Sequence, residues 1–383
     1  MSIKSSLISF FSGSIVIMSS CTLNRYVQQT TANISDVKFL GAYEISYNLF
    51  YKNSIIGGLS GIDYDKKNDQ YYLVSDDRSD KNPARFYTAK IYIGQQGVDS
   101  VIFTGVENML QQNGKKYPKN REDRSKTPDP EAIRLYTVKQ QLLWSSEGER
   151  IVTESDTLLQ DPSVNIISPQ GKFIYTITLP ENLKMQSINK GPRKNGVLEG
   201  MTFADNYKTL FINVEEPLYE DGPRADLEDN NSYIRIYRFK SNGWKSTGQF
   251  AYKLEPVAYP AVPEQAFKIN GVPDMLSIGK NKLLVIERSF STGRLPCTIK
   301  LFVADLTGST DISNTTLKGN NQFTPASKKL LLNMDKLGIY TDNIEGVTFG
   351  PLLPNGHKTL LFIADNNFSQ SEKTQLLLFE VIE

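Results

Sequence analysis

A hairpin pattern that recurs five times constrains the fold of this chain more than any other feature. In most copies an apolar run with an acid near its start is followed, after a polar turn, by a second apolar run that ends in an acid. The copies begin about 70 residues apart and occupy residues 59–64 with 72–77, 130–135 with 142–147, 198–203 with 210–216, 273–277 with 283–288, and 344–349 with 360–365. Repetition of one supersecondary unit at a regular interval is typical of a radial array.

A third run suited to an outer strand follows each copy. These runs are residues 85–91, 173–178, 234–239, 299–304 and 376–381. Three or four strands per unit make a blade, so the sequence predicts an all-β protein with a β-propeller fold. Residues 37–47 supply an N-terminal strand that would close the ring against the C-terminal run. We favour six blades, because residues 98–129 could contain a degenerate strand set, and five blades are the alternative.

Hairpin geometry places the repeated acids at one edge of the sheets. In the third copy the turn sets Ala204 opposite Thr209, which puts Glu199 across from about Val214 and leaves Glu215 at the open end. Carboxylates gathered at one mouth of a channel raise one another's pKa and need cations. The predicted metal ligands are Asp76, Glu131, Glu147, Glu199, Glu215, Asp274, Glu287, Glu345 and Asp365.

Oxygen ligands without histidine favour Ca²⁺ first and Mg²⁺ or Mn²⁺ second. The alternative for each acid is a structural role, as a turn residue or an acceptor of backbone amides. Arg78 follows Asp76 and Asp77, and Arg288 follows Glu287. A guanidinium beside a carboxylate-held metal suits phosphate recognition, and a salt bridge that neutralises the acidic rim is the alternative.

Overall charge and the rarest residues exclude several function classes. The 43 Lys and Arg residues nearly balance the 42 Asp and Glu residues, which argues against nucleic-acid binding through a basic face. A single histidine, His357, and two cysteines, Cys21 and Cys297, argue against zinc sites. No GxSxG elbow accompanies His357, and no phosphate-binding GxxxxGK[ST] loop occurs. His357 lies in a predicted turn away from the acidic edge, so we expect it to be a surface residue.

The N-terminus predicts export. Lys4 precedes an apolar stretch over residues 7–18, and Cys21 follows two serines, as in a bacterial lipobox. We therefore interpret residues 1–21 as a signal peptide with Cys21 as the lipidation site, and a plain signal peptide is the alternative. Residues 22–36 would form a tether and residues 37–383 the propeller. The expected product is a monomeric cell-envelope lipoprotein, periplasmic or anchored to the outer membrane, or a secreted protein, and only the lipid would contact a membrane.

With these motifs assembled, the chain resembles the phytase-like family, whose members are described by esterase-like activity. The matching segments are residues 58–62, 74–78, 129–133, 198–202, 285–290, 343–347 and 364–367, and the likeness extends from about residue 37 to the C-terminus. The resemblance implies an exported β-propeller related to calcium-dependent propeller phytases. It implies that Arg78 and Arg288 clamp a phosphoryl or acyl oxyanion. A carboxylate that does not bind the metal, Asp77 or Glu216, would then act as the general base.

Three functions remain open at this stage. The first is a Ca²⁺-dependent phosphoesterase acting on a small phosphate ester, for which acids and arginines occur together. The second is a carboxyl-ester or lactone hydrolase, which needs the metal but not the arginines. The third is a non-catalytic, anchored binding propeller, in which the acids hold the ring together.

Overall fold

The computed structural model describes residues 28–320 and 322–383. The first strand is β1 (Asp36–Ile45), and a short hairpin of β2 (Phe50–Tyr51) and β3 (Ser54–Ile55) follows it. Most remaining strands form four-stranded antiparallel sheets in the order of the chain. Blade 1 consists of β4 (Leu59–Asp65), β5 (Gln70–Ser75), β6 (Arg85–Gly94) and β7 (Gly97–Asn108).

The second and third blades repeat this arrangement. Blade 2 consists of β8 (Pro130–Tyr136), β9 (Gln141–Ser146), β12 (Ser163–Ile167) and β13 (Phe173–Thr176), and a small hairpin of β10 (Glu149–Val152) and β11 (Thr157–Gln160) is inserted after its second strand. Blade 3 consists of β14 (Leu198–Ala204), β15 (Thr209–Val214), β16 (Tyr233–Lys240) and β17 (Lys245–Lys253).

The last two blades complete the ring. Blade 4 consists of β18 (Lys268–Gly271), β19 (Met275–Ser277), β20 (Lys282–Ser291), β21 (Arg294–Asp305) and β22 (Ser327–Asn333). Blade 5 consists of β23 (Asn343–Phe349), β24 (Thr359–Asp365), β25 (Thr374–Ile382) and, from the other end of the chain, β1. β1 pairs with β25 from Asp36 opposite Ile382 to Ile45 opposite Thr374, which confirms the predicted closing strand.

The inner strands β4, β8, β14, β19 and β23 each contact the next, and β23 contacts β4, so the ring has five blades. The propeller prediction is confirmed. The favoured count of six blades is wrong, and the alternative of five is present. Residues 98–129 do not form a further blade. They provide the outer strand β7 and then an irregular segment, from which Tyr117 packs edge-on against Trp144 with ring centroids 5.9 Å apart.

The hydrophobic core lies between neighbouring blades. The second strands β5, β9, β15 and β24 are buried along nearly their whole length, because each is covered by a blade on both faces. This explains why their sequences are continuous apolar runs and not alternating ones. Each fully buried aliphatic or aromatic side chain contributes about 1.5–3 kcal/mol to folding.

The chain enters the propeller across the end of the central channel where the inner strands finish. Ala32 and Ile34 are buried in the cluster between blades 4 and 5, and the Ala32 amide donates to the Ile278 carbonyl at 3.1 Å. The helices in the described ranges are 3₁₀ turns, and none is long and apolar enough to cross a membrane. The predicted signal segment, with Cys21, lies outside the described residues.

Candidate metal centre

Most inner strands begin with a β-bulge, at the end of the channel where the acids lie. The register shifts between Pro130 and Ile133 in β8, between Leu198 and Met201 in β14, and between Ile344 and Gly346 in β23. A bulge leaves a residue unpaired and redirects its side chain. In these three strands the shifted stretch contains Glu131, Glu199 and Glu345, which all line one cleft of about 640 Å³.

The glycine that follows two of these acids allows the inner strands to approach closely. A Cβ atom on Gly200 would lie 2.8 Å from the Asp274 Cα atom, and one on Gly346 would lie 2.8 Å from the Ser60 carbonyl oxygen. Such distances are too short for any side chain. The Glu-Gly dipeptide therefore combines a mouth-facing acid with a tight contact between blades.

A second set of acids comes directly after the second strand of a blade. The amides of Glu147 and Glu215 donate to the carbonyls of Asp129 and Val197, at 3.1 and 2.9 Å. The Asp76 amide donates to the Gly58 carbonyl in the same way, at 2.6 Å. This repeated backbone contact places the side chain beyond each strand at the same mouth. We call this region the acid mouth and define it by Asp76, Asp129, Glu131, Glu147, Glu199, Glu215 and Glu345, which all line the cleft.

Two groups of carboxylates at the acid mouth are compact enough to hold a cation. In each group the carboxylate oxygens of three side chains lie within 4.8 Å of one another. The first group is Asp76, Asp129 and Glu131, and the second is Glu131, Glu147 and Glu199. Glu131 belongs to both groups.

Burial and mutual repulsion raise the pKa values of these carboxyls. For Asp76, burial acts first, and the charges of Asp129, Asp365 and Glu345 add to it, so its pKa lies well above the usual value. Burial and the charge of Asp129 raise the pKa of Glu147 to about 7. Carboxyls that resist ionisation on their own are stabilised as anions by a bound cation. The donor set therefore fits a hard divalent metal ion.

Arg288 lies at the other side of the acid mouth and joins two blades. Its guanidinium donates to Glu345 Oε1 and to Glu215 Oε1, each at 2.7 Å, and to Asn343. Although burial opposes its charge, these carboxylates raise the pKa of Arg288. Its Nε is buried and makes no hydrogen bond within the described part of the chain. This N–H is a buried donor without an acceptor in that part of the chain.

Arg78 occupies the opposite side of the cleft from blade 1. Its Nη1 lies 2.9 Å from Glu149 Oε2 and 3.4 Å from Asp129 Oδ2. Its Nε and Nη2 atoms are buried without a hydrogen-bond partner among the described residues. Buried guanidinium donors of this kind are costly unless a ligand or water accepts from them.

Glu287, predicted as a ligand, lies away from the acid mouth. It accepts hydrogen bonds from Tyr252, Asn270 and Lys328 inside the wall between blades 3 and 4, at 2.8, 2.7 and 2.6 Å. Successive residues of a strand point to opposite faces. Since Arg288 faces the cleft, the neighbouring Glu287 faces the blade interior.

Asp274 is also placed elsewhere, deep in the central channel. Both of its oxygens accept from Arg134 Nη2, at 2.7 and 2.6 Å, and one accepts from the Val347 amide at 2.9 Å. The inner strand β19 begins at Met275 without a bulge, so nothing redirects Asp274 toward the mouth. The sequence held a signal of this difference. Asp274 is followed by Met275, whereas Glu199 and Glu345 are each followed by glycine.

The two predicted general bases already have protein partners. Asp77 accepts from the amides of residues 80–82 and from Arg85 at 2.6 Å, so both oxygens organise the loop after β5. Glu216 pairs with Arg224 Nε at 2.5 Å behind the rim. Burial and the charge of Glu215 raise its pKa to about 7. Neither carboxylate belongs to the two metal-holding groups.

The remaining predicted positions, and the residues that sequence reasoning missed, extend the site. Asp365 is fully buried behind the acid mouth, and its Oδ2 has no partner among the described residues. Cys297 is a buried free thiol that lines the cleft. Asp129 and Glu149 were not predicted. Asp129 lies two residues before Glu131, in the segment 129–133 that carries the family resemblance, which was the available signal.

The sequence matches a known protein family, and the fold resembles those of solved structures. A family model described as Phytase-like, esterase-like activity of phytase, matches residues 54–368. No curated protein matches the chain. Its fold is similar to that of an endo-arabinase from Bacteroides thetaiotaomicron, with 14% identity, a TM-score of 0.43, and coverage of 88% of this chain and 98% of that one.

Two further solved structures show a similar degree of likeness. An α-L-arabinofuranosidase from Lactobacillus brevis is 10% identical, with a TM-score of 0.45 and coverage of 85% of this chain and 91% of that one. A periplasmic gluconolactonase from Pseudomonas aeruginosa is 12% identical, with a TM-score of 0.35 and coverage of 86% and 90%. Similarity this low carries no information about substrate.

Proposed function

This chain belongs to the phytase-like family described by esterase-like activity of phytase, and from that membership and the acid mouth we propose that it is a metal-dependent ester hydrolase. The observation that carries the proposal is the pair of carboxylate groups that share Glu131 and are flanked by Arg78 and Arg288. The donors are all carboxylate oxygens, which favours Ca²⁺ over Mg²⁺ or Mn²⁺. We further propose a phosphate ester as the substrate.

Asp76, Asp129, Glu131, Glu147 and Glu199 would hold the metal. When bound, a hard divalent cation supplies positive charge that polarises an ester and makes water more acidic. The substrate anion would lie between the two arginines. Arg78 offers Nε and Nη2, Arg288 offers Nε, and a guanidinium binds phosphoryl oxygens with a planar set of donors.

Glu345 is our choice for the proton acceptor. It lines the cleft, and Arg288 and Asn343 donate to its Oε1 only, so its Oε2 has no hydrogen-bond partner among the described residues. Burial raises the pKa of Glu345, while Arg288 opposes that effect. A carboxylate with a raised pKa is a stronger base toward water than an exposed one. Asp77, one of the bases predicted from sequence, has both oxygens engaged by other residues. Glu216, the other, pairs with Arg224 through one oxygen and does not line the cleft.

We also propose that the protein acts outside the cytoplasm, with Cys21 as a lipid anchor. Labelling with radioactive palmitate in a bacterial host, comparing wild type with Cys21→Ser, tests this point. Incorporation of label into wild type alone is expected, and equal labelling of both would contradict it.

The function is tested by assaying the purified protein on an aryl phosphate and an aryl acetate, with excess Ca²⁺ and with chelator. We expect Ca²⁺-dependent hydrolysis of the phosphate ester and loss of turnover with chelator. Arg288→Ala should lower kcat about 10²–10³-fold, the usual effect of removing one transition-state donor. Exposed Arg121→Ala is the matched control and should be unaffected.

Hydrolysis of the acetate alone, indifferent to Arg288→Ala, would replace the phosphoesterase with a carboxyl-ester hydrolase. No turnover of either ester under any metal condition would leave a binding propeller.

A further inference from the structure

One wall of the cleft differs from the others because blade 4 extends past the ring. β20 and β21 continue beyond the inner strand β19, and β18 pairs with the extension from Lys268 opposite Ser291 to Gly271 opposite Arg288. A two-residue turn, Thr292-Gly293, joins β20 to β21. In the other blades the second strand leaves the sheet at this mouth through a longer connection.

This extension presents apolar side chains to the cleft that holds the carboxylates. Phe267, Ile269, Phe290 and Leu295 line it together with the acid mouth, and we call these four residues the apolar shelf. Phe267 is 53% exposed and Leu295 is 60% exposed. The rings of Phe267 and Phe290 lie side by side, with centroids 6.2 Å apart.

The blade 4 extension does not depend on the exposed side chains of the shelf for its backbone pairing. The extension is held by backbone contacts, since the Thr292 amide donates to the Phe267 carbonyl at 2.9 Å and the Val262 amide donates to the Thr292 carbonyl at 2.8 Å. Neither contact uses the Phe267 or Leu295 side chain. Apolar side chains exposed in a concave site beside convergent charged groups are typical of a ligand-binding surface.

We propose that the apolar shelf binds an uncharged, apolar group of the substrate, attached to the anionic group that the arginines hold. This inference deepens the proposed function and takes from it only the identity of the anionic group. The substrate is then amphiphilic, with an anion between Arg78 and Arg288 and an aryl or alkyl group over Phe267 and Leu295. The cleft itself carries the argument, because the two arginines, the carboxylates and the apolar shelf all line it.

The test uses two non-hydrolysable probes, phenylphosphonate and methylphosphonate, titrated calorimetrically into the protein with Ca²⁺. They share the anion, so leaving-group reactivity does not enter the comparison. We expect phenylphosphonate to bind at least about tenfold more tightly, since removing a ring from water is worth more than a factor of ten in affinity. The double variant Phe267→Ser/Leu295→Ser should reduce this preference to less than about twofold and leave methylphosphonate affinity unchanged.

Ile102→Ser is the matched control, since Ile102 is 51% exposed on the outer strand of blade 1. It should keep the full preference. Equal affinity for the two phosphonates, no binding of phenylphosphonate, or a preference that survives the double variant would overturn the inference.

Two further readouts separate this inference from the proposed function. A phenyl preference without hydrolysis of any ester would support the shelf and refute the enzyme. Hydrolysis of phosphate esters with no phenyl preference would support the enzyme and refute the shelf. Shelf-dependent binding to phosphatidylethanolamine and phosphatidylglycerol vesicles, without a phenyl preference, would assign the shelf to a membrane and also overturn the inference.

Discussion

The mouth and the interior of the central channel give buried carboxylates different surroundings. At the acid mouth, burial raises the pKa values of Asp76 and Glu131, and the charges of neighbouring carboxylates raise them further. In the channel interior, burial raises the pKa of Asp274 to about 6, but the guanidinium of Arg134 opposes this effect and donates to both carboxylate oxygens. The difference shows that position in the repeat does not decide what an acid does. Asp274 meets one guanidinium of the chain, whereas the carboxylates of the acid mouth outnumber Arg78 and Arg288 and create a demand for a cation from solution.

The largest expected effect comes from breaking the ion pair of Arg134 and Asp274 in the channel interior. Arg134→Met leaves Asp274 buried without its partner and should lower the free energy of unfolding by about 3–5 kcal/mol. Urea unfolding by circular dichroism measures this loss. The double variant Arg134→Met/Asp274→Leu should recover most of it. A double variant as unstable as the single one would show that the loss of stability does not come from leaving Asp274 without its partner.

A metal ion bound at the acid mouth should stabilise the folded protein. At a Ca²⁺ concentration 100 times its Kd, one bound ion adds about 2.7 kcal/mol to the free energy of unfolding. Glu131→Gln should abolish most of this gain, because Glu131 belongs to both carboxylate groups. Asp274→Asn also replaces a carboxylate by an amide, but in the channel interior, and should keep the Ca²⁺ response. Calorimetric melting with Ca²⁺ and with chelator distinguishes them, and equal responses of the two variants would contradict the assignment.

The pH dependence of stability in chelator sharpens the comparison. The pKa of Glu147 is raised by burial and by Asp129 to about 7 from 4.5, so the folded state binds the proton more tightly than the unfolded state does. The stabilisation from this proton is complete below about pH 4.5 and is lost as the pH rises through about 7. Stability should therefore fall by at least about 1 kcal/mol between pH 5 and pH 7.5. Urea titrations across this range measure it.

Glu147→Gln should flatten that profile, and saturating Ca²⁺ should do the same, because the metal replaces the protons. A profile that rises with pH in chelator would be inconsistent with the raised pKa values at the acid mouth.

The smallest expected effect is at His357, which is 49% exposed. It lies in the turn between β23 and β24, and the acid mouth is at the opposite ends of these two strands. Its Nδ1 lies 2.6 Å from Glu380 Oε1 at the surface. His357→Gln should leave the melting temperature, kcat and the pH–rate profile unchanged within error. A change in the pH–rate profile would mean that the chemistry uses this histidine and would move the site away from the acid mouth.

Much of the fold follows from local sequence patterns. The predicted pairing of Ala204 with Thr209 is present, and so is closure of the ring by β1. The alternation of strand side chains also carried the information that Glu287 and Arg288 face opposite ways. The bulge in β14 was not predicted, and it pairs Leu198 with Val214 in the place expected for Glu199.

The blade count could not be deduced from the repeats alone. Residues 98–129 contain enough β-forming residues for further strands, yet only β7 and an isolated bridge between Leu110 and Lys116 form there. Whether the protein has five or six blades depends on whether the inner strands of five blades already close the ring. That is a property of the whole sheet arrangement and not of the segment.

The sequence by itself determined that this chain is built from repeated hairpins and that acids gather at one edge of them, because hairpin turns and strand alternation are short-range properties. Only the tertiary structure decided which acids have a partner. Arg134 reaches Asp274 across 140 residues of chain, and Arg288 reaches Glu215 and Glu345 in two other blades. The charge state of a carboxylate depends on what lies within a few ångströms of it. In a closed ring those neighbours come from different repeats.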